Sequence, residues 1–257
     1  MSSLKRWVRR RPSSVEISES QGVRTLHLGG DAIQSAIRLS NPEALELHYT
    51  RAMMGFLLVA PEPRDVLLIG LGGGSIARFI RRHYPRARIT AVEINPSVVA
   101  AARAWFGLPQ NDDRLNVVVD DGESWVPAHP DCCDALMLDA FEDGRAVRAL
   151  STRRYYEHCF AALRPGAVLV QNFMADDPHL DACTGRLQRI FGGNVLQLPA
   201  ANHVNTILFA LKGERAPFRL ESLERRAAAL ERRLGIAYRT MLRTLKSENA
   251  ASGLIAG

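Results

Sequence analysis

At 257 residues the chain is long enough for one sizeable buried core with a small appended element, and 47% hydrophobic with 23% charged residues is the composition of an ordinary globular protein. The longest apolar run, residues 53–60, is too short to span a bilayer, which excludes a membrane protein built on helices. The net charge of +6 raises nucleic acid as a partner, but its carriers are scattered over an amino-terminal arm, helix faces such as Arg78, Arg81 and Arg82, and a late segment with Arg225, Arg226, Arg232 and Arg233. No aromatic residues interleave with them as a stacking platform needs, so no nucleic-acid partner is expected.

In chain order, residues 1–13 read as a flexible basic arm without the apolar stretch of a signal peptide. Between residues 14 and 39 three short alternating segments, VEISES, VRTLHL and AIQSAIRL, are divided by Gln21-Gly22 and Gly29-Gly30-Asp31, which predicts an antiparallel β meander. Asn41-Pro42-Glu43 reads as a capped helix start, and the helix is expected to run to about Leu58 with Leu45, Tyr49, Ala52, Met53 and Phe56 on one face. Meander and helix together make a first unit at 14–60.

The main domain is expected over 61–213. An apolar strand at 66–69 stops at Gly70-Leu71-Gly72-Gly73-Gly74-Ser75 and passes into a helix marked by Ile76, Phe79 and Ile80. A second strand at 88–92 ends in Glu93, about twenty residues beyond the glycines. Glycines at 70, 72 and 74 let the backbone approach a ligand, the helix start offers free N–H groups, and the later carboxylate can accept both hydroxyls of a ribose. These features predict an adenosine-containing cofactor. Dinucleotide enzymes favour G-x-G-x-x-G, but Ser75 stands at the last glycine's place. The G-x-G-x-G pattern resembles instead the S-adenosylmethionine-binding Rossmann-like fold of methyltransferases and their relatives.

A helix follows at 95–106, then a strand at 115–119 ending in Asp120-Asp121-Gly122, where Asp121 is the candidate for the adenine amine. The strand at 135–138 ends in Asp139-Ala140-Phe141-Glu142-Asp143-Gly144, three acids where parallel strands place ligand groups. Ser151 is read as the cap of a helix to Leu163, followed by a strand at 167–171 and a helix at 179–191. The strands at 195–198 and 206–211 are close enough to pair as an antiparallel hairpin. The fold class is therefore α/β, a methyltransferase-like Rossmann fold with a seven-stranded, mostly parallel sheet and a carboxy-terminal antiparallel hairpin, preceded by the small meander. Residues 214–246 are expected to form a charged amphipathic helix and 247–257 a disordered tail. Cys132, Cys133, Cys159 and Cys183 show no metal-ligand spacing and read as reduced thiols of a soluble cytoplasmic protein; no metal is expected.

Taken together, VLLIGLGGGS, AVEINP, VVVDDGESW, ALMLDAFEDG and RRYYEHCFAALRPGAVLVQN, behind a meander and a helix with Tyr49, resemble the spermidine synthase (polyamine aminopropyltransferase) family across roughly residues 15–212. More narrowly, Gln34-Ser35, Arg38-Leu39 and Tyr49-Thr50-Arg51-Ala52-Met53 resemble bacterial spermidine synthase-like proteins. The resemblance implies that Gln34 and Tyr49 approach the cofactor tail and the transfer site, that Glu93 binds ribose, and that Asp121 and Gly122 lie beside adenine. It further implies that Asp139 matches the first acid of the family's D-S-S/T-D-P run and contacts cofactor or substrate, and that Glu142 falls where the second acid deprotonates the attacking amine. The donor so implied is decarboxylated S-adenosylmethionine, the acceptor putrescine or another polyamine, and the assembly a homodimer.

The chain also departs from that pattern. Gly73 stands where the family's glycine turn holds an Asp for the donor's amine, Glu142 replaces Asp, and Asp143 replaces Pro. Residues 198–205, LPAANHVN, lack the expected aromatic, and Asn172-Phe173-Met174 stands where an acid and a Trp are usual. Two alternatives stay open: a methyltransferase using S-adenosylmethionine itself, against which Leu68 stands where many methyltransferases carry an acid, or a non-catalytic nucleoside-binding relative.

Overall fold

A computed structural model of the chain describes residues 14–29, 33–60, 62–142, 145–214 and 216–256, with the backbone alone at Glu142. The arm expected at 1–13 and the acid Asp143 lie outside the described residues. Three strands, β1 (Val15–Ser20), β2 (Val23–Leu28) and β3 (Ile33–Arg38), pair antiparallel in sequence order as the meander. The next helix begins later than expected. Asn41 closes a turn on Arg38 O instead of capping, and α1 covers only His48–Met53 before tightening into a 3-10 turn, Met54–Leu58. Arg78, one of the basic residues placed above on helix faces, is buried and donates to the Pro42 carbonyl, so the 41–44 segment is held by a side chain where a helix was expected.

The main sheet contains β4 (Asp65–Ile69), β5 (Arg88–Glu93), β6 (Leu115–Val119), β7 (Cys133–Leu138), β10 (Leu163–Met174), β11 (Val195–Pro199) and β12 (Asn205–Leu211). A two-residue pair, β8 (Phe141–Glu142) and β9 (Arg145–Ala146), forms a small ladder just after β7. The strand order is β11-β12-β10-β7-β4-β5-β6, with β12 antiparallel to both its neighbours and the other pairs parallel. Crossovers run outward from β4 through β5 to β6 and then return to β7 on the other side of β4. The order therefore reverses between β4 and β7, the place where open α/β sheets bind ligands.

Both faces of the sheet are covered. Along β4, Val66 and Leu68 join one apolar cluster and Leu67 and Ile69 the other, which is the period-two alternation of a strand buried on both sides. One face carries α2 (Ser75–His83), α3 (Pro96–Trp105) and the 54–58 turn; the other carries α5 (Arg153–Ala162) and α6 (Leu180–Ile190). A short α4 (Gly122–Trp125) follows β6. Asn95 caps α3 by accepting from Ser97 N at 2.9 Å, with Pro96 in the first turn. Thr152, not Ser151, caps α5, because its hydroxyl reaches Tyr155 N at 3.2 Å while Ser151 is held by a tight turn from Arg148.

The carboxy-terminal expectation needs correction. Gly235, with φ of 67°, breaks the charged segment into α7 (Leu220–Leu234) and α8 (Tyr238–Glu248). The segment expected to be a disordered tail folds back: β14 (Ile255–Ala256) pairs in parallel with β13 (Phe218–Arg219). Among the described residues no helix is long and apolar enough to cross a membrane.

Candidate active site

The glycine turn and the β7 tip are brought together by register. Ile69 of β4 lies opposite Leu138 of β7, and Asp139 N donates to Ile69 O at 2.9 Å, so Gly70 and Asp139 emerge side by side. At Gly70 φ is 92°, and a Cβ there would press into the Asp139 carbonyl oxygen, so only glycine fits. Above the turn lies β3: Ser75 Oγ donates to Ala36 O at 3.3 Å, and the Ser35 side chain and the Gln34 carbonyl oxygen flank Gly72. Of the sequence-predicted residues, Gly70 stands against Asp139, Gln34 flanks Gly72, and Gly74 packs on Leu108.

Tyr49 closes the group from α1. Its hydroxyl donates to the Gln34 carbonyl oxygen at 3.0 Å and faces Asp139; burial, then the carboxylate's charge, pushes the phenol pKa well above its usual value. Asp139 is a half-buried carboxylate at the switch point. Burial pushes its pKa up to about 6, against hydrogen bonds from Asn172 and Tyr49 that pull it down. Asn172 Nδ2 donates to Asp139 Oδ1 at 2.9 Å, and Asn205 Nδ2 donates to Asn172 Oδ1 at 3.0 Å. A carboxylate poised near pH 6 can bind an ammonium ion or take its proton.

Glu93, at the tip of β5, is 8% exposed; its Oε2 accepts from Leu71 N and its Oε1 from Asn95 N, each at 2.9 Å. Burial raises its pKa although these backbone donors oppose the rise. Each oxygen keeps acceptor capacity, as a ribose diol requires. Beside it Ile94 and Val119 are exposed apolar side chains at the tips of β5 and β6, a surface suited to a flat ring. Asp121 caps α4, its Oδ1 accepting from Glu123 N at 2.9 Å, and Gly122 packs on Ile69. The structure therefore gives Asp121 a capping bond at the strand tip where adenine contact is expected.

Glu142 lies three residues beyond Asp139, its backbone paired with Arg145; its side chain lies outside the described residues. Gly73 has no room for the missing acid, since a Cβ there would stand 2.8 Å from Phe106 Cδ1 and 2.9 Å from Ser35 Oγ. The residue that sequence reasoning missed is Asn205, and Asn172 was noted only as a replacement. Their signal is a carboxamide in each of two largely apolar strands, a placement that buried strands disfavour unless each amide is satisfied. Among the described residues no three His, Cys, Asp or Glu side chains converge as metal ligands, and the four cysteines are unpaired.

Comparison with known proteins follows the same lines. The family described as "Spermine/spermidine synthase domain" matches residues 46–182. The polyamine aminopropyltransferase of Chromobacterium violaceum is 42% identical over 235 residues, covering 91% of this chain and 90% of that protein. Human methyltransferase-like protein 13, solved in complex with SAH, superposes with a TM-score of 0.67 at 29% identity, over 74% of this chain and 93% of that one. A spermidine synthase in complex with the transition state analogue AdoDATO superposes with a TM-score of 0.67 at 18% identity, over 94% and 89%. The last shares the fold.

Proposed function

The chain belongs to the spermine/spermidine synthase family and is a transferase of alkyl groups other than methyl, and from that premise we propose how its own residues carry the reaction. The donor is decarboxylated S-adenosylmethionine and the acceptor a small amine, putrescine or another polyamine; the products are the propylamine adduct and methylthioadenosine. The observation that supports this reading best is Asp139, a carboxylate with a pKa near 6 between the glycine turn, Tyr49 and Asn172. The resemblance to the family supplies the roles.

In this reading Glu93 holds the ribose, the Gly70–Gly74 backbone and Gln34 line the donor's tail, and Asp121 with Gly122 borders adenine. Asp139, ionised above about pH 6, orients the acceptor's ammonium, and Tyr49 fixes the near wall. Glu142 takes the proton, because an ammonium has no lone pair with which to attack. The freed nitrogen pair forms the new bond to the carbon beside the sulfonium; the carbon–sulfur pair returns to sulfur and neutralises it. By the same resemblance the enzyme works as a cytoplasmic homodimer, which sedimentation velocity checks.

The deciding experiment incubates the purified protein with decarboxylated S-adenosylmethionine and a panel of diamines and triamines, and measures methylthioadenosine release. S-adenosylmethionine serves as the parallel donor. Steady release with the decarboxylated donor is expected; methylated product from the intact donor, or no product at all, overturns the reading. Glu142→Gln is expected to lower turnover by about a hundredfold or more while donor affinity by calorimetry changes less than about threefold.

A further inference from the structure

Two buried amides stand behind Asp139 in a line. Asn172 is 2% exposed and sits on β10; Asn205 is 7% exposed and opens β12. Antiparallel register brings them together, since Met174 lies opposite Asn205 and Asn172 lies two residues before it. Each carboxamide has one donor end and one acceptor end, so a chain of them has a direction. Here the direction is set at both ends. Asn205 Nδ2 faces two acceptors, Asn172 Oδ1 at 3.0 Å and the Met174 sulfur at 3.6 Å, and a thioether cannot donate. Asn205 therefore presents its N–H end, Asn172 must answer with oxygen, and the N–H end of Asn172 is left on Asp139 Oδ1 at 2.9 Å.

We propose that Asn205, acting through Asn172, is a positioning residue for Asp139: the relay supplies one carboxylate oxygen with a fixed N–H donor and leaves the other for the acceptor's ammonium. The use made of that second oxygen rests on the aminopropyl-transfer reading; the relay itself does not. Without Asn205 the Asn172 oxygen loses its donor and Asp139 alone orients the amide, which can turn its oxygen toward the carboxyl once that carboxyl is protonated. An acceptor facing the carboxyl favours the protonated acid, which neither attracts a cation nor accepts a proton. Among the described residues, the Tyr49 phenol from α1 and the Gly70 backbone at the end of β4 also face Asp139, and neither is altered by changing Asn205.

The test reads the carboxyl directly. In protein labelled with 13C at aspartate carboxyls, the Asp139 signal, assigned by its loss in Asp139→Asn, is titrated by NMR without substrate. Asn205→Leu is expected to raise the midpoint by at least about half a pH unit, Asn172→Leu to raise it at least as far, and the double variant to match Asn172→Leu alone. If Asn205→Leu does not fold, Asn205→Ala carries the same expectation. A midpoint unmoved by the folded Asn205 variant, or shifts that simply add in the double variant, overturns the relay. In active enzyme the acid limb of kcat/KM moves with the NMR midpoint, while kcat well above that pH stays near wild type. If the wild-type protein transfers no propylamine, the functional reading falls, yet the titration still decides the relay.

Discussion

At Asp139 two demands conflict in the proposed mechanism: burial favours the neutral acid, whereas holding a cation needs the carboxylate. The folded pKa of about 6 lies above the unfolded value, so the native state binds more protons between roughly pH 4 and 6. Stability linked to this group is present at low pH and is lost as pH rises through that window, by on the order of 2 kcal/mol once ionisation is complete. Asp139→Asn should therefore be more stable than wild type at pH 8 by about that amount, nearly equal to it at pH 4, and inactive; urea denaturation at both pH values checks this. Gly73 makes the opposite point. Restoring the family's acid by Gly73→Asp would drive a side chain into Phe106 and Ser35, and overpacking of this kind costs about 1–3 kcal/mol. Thermal denaturation should show that loss, and calorimetry should show no tighter binding of decarboxylated S-adenosylmethionine.

Among the elements, β11 is the exposed margin of the main sheet, where unpaired N–H and C=O groups invite other strands. Here one side chain does a strand's work. Asn249, at the end of α8, accepts from Gln197 N at 2.9 Å and donates to Gln197 O at 2.8 Å. Asn249→Ala should cost about 2 kcal/mol and speed hydrogen exchange at the Gln197 amide, both measurable in one NMR series. This contact illustrates what the sequence does and does not display. The central strands β4, β5, β6 and β7 were legible because each is a short apolar run ending at glycines or acids, and the expected group of Gly70, Glu93 and Asp139 followed from their order. The onset of α1 was misread because Asn41-Pro42 satisfies the cap rule locally, while the buried Arg78 claims the following turn from another element. The break at Gly235 was readable in principle from glycine and amphipathic period together. Asn172, Asn205 and Asn249 were not, since each acts across a register or a tertiary contact that spacing along the chain cannot reveal.

Across the whole molecule the charges divide by position. The amino ends of β4 and β7, opposite the site, are tied by Arg164 to Asp65 at 2.7 Å and to Asp134 at 3.2 Å, with Arg88 on Asp65 at 2.8 Å. Arg88 and Arg164 hydrogen bonds hold the Asp65 carboxyl below its usual range against burial, and Arg81 brings Asp112 down to about 2. These depressed acids contribute stability that is complete above about pH 4 and is lost as pH falls toward 2. Burial, with the Arg82 and Arg233 charges, lowers the His83 pKa, so His83 and Asp139 work in opposite directions between about pH 4 and 6.5. Wild-type stability should therefore fall steeply below pH 4, with the acid limb weakened by Arg164→Ala; denaturation curves from pH 3 to 8 check the shape.

The 54–58 turn that continues α1 is held from far along the chain. Tyr238 donates to Met54 O at 3.1 Å, and Arg226 donates to the Leu58 and Ala60 carbonyl oxygens at 3.1 and 3.3 Å. Tyr49 therefore stands on a segment whose lower end is secured by residues made more than 160 positions later. During translation the glycine turn, Glu93 and Asp139 leave the ribosome well before α7 and α8. A nascent chain can thus form the strands around the glycine turn early, but Tyr49 is firmly seated only once α7 and α8 have been made and packed on the 54–58 turn.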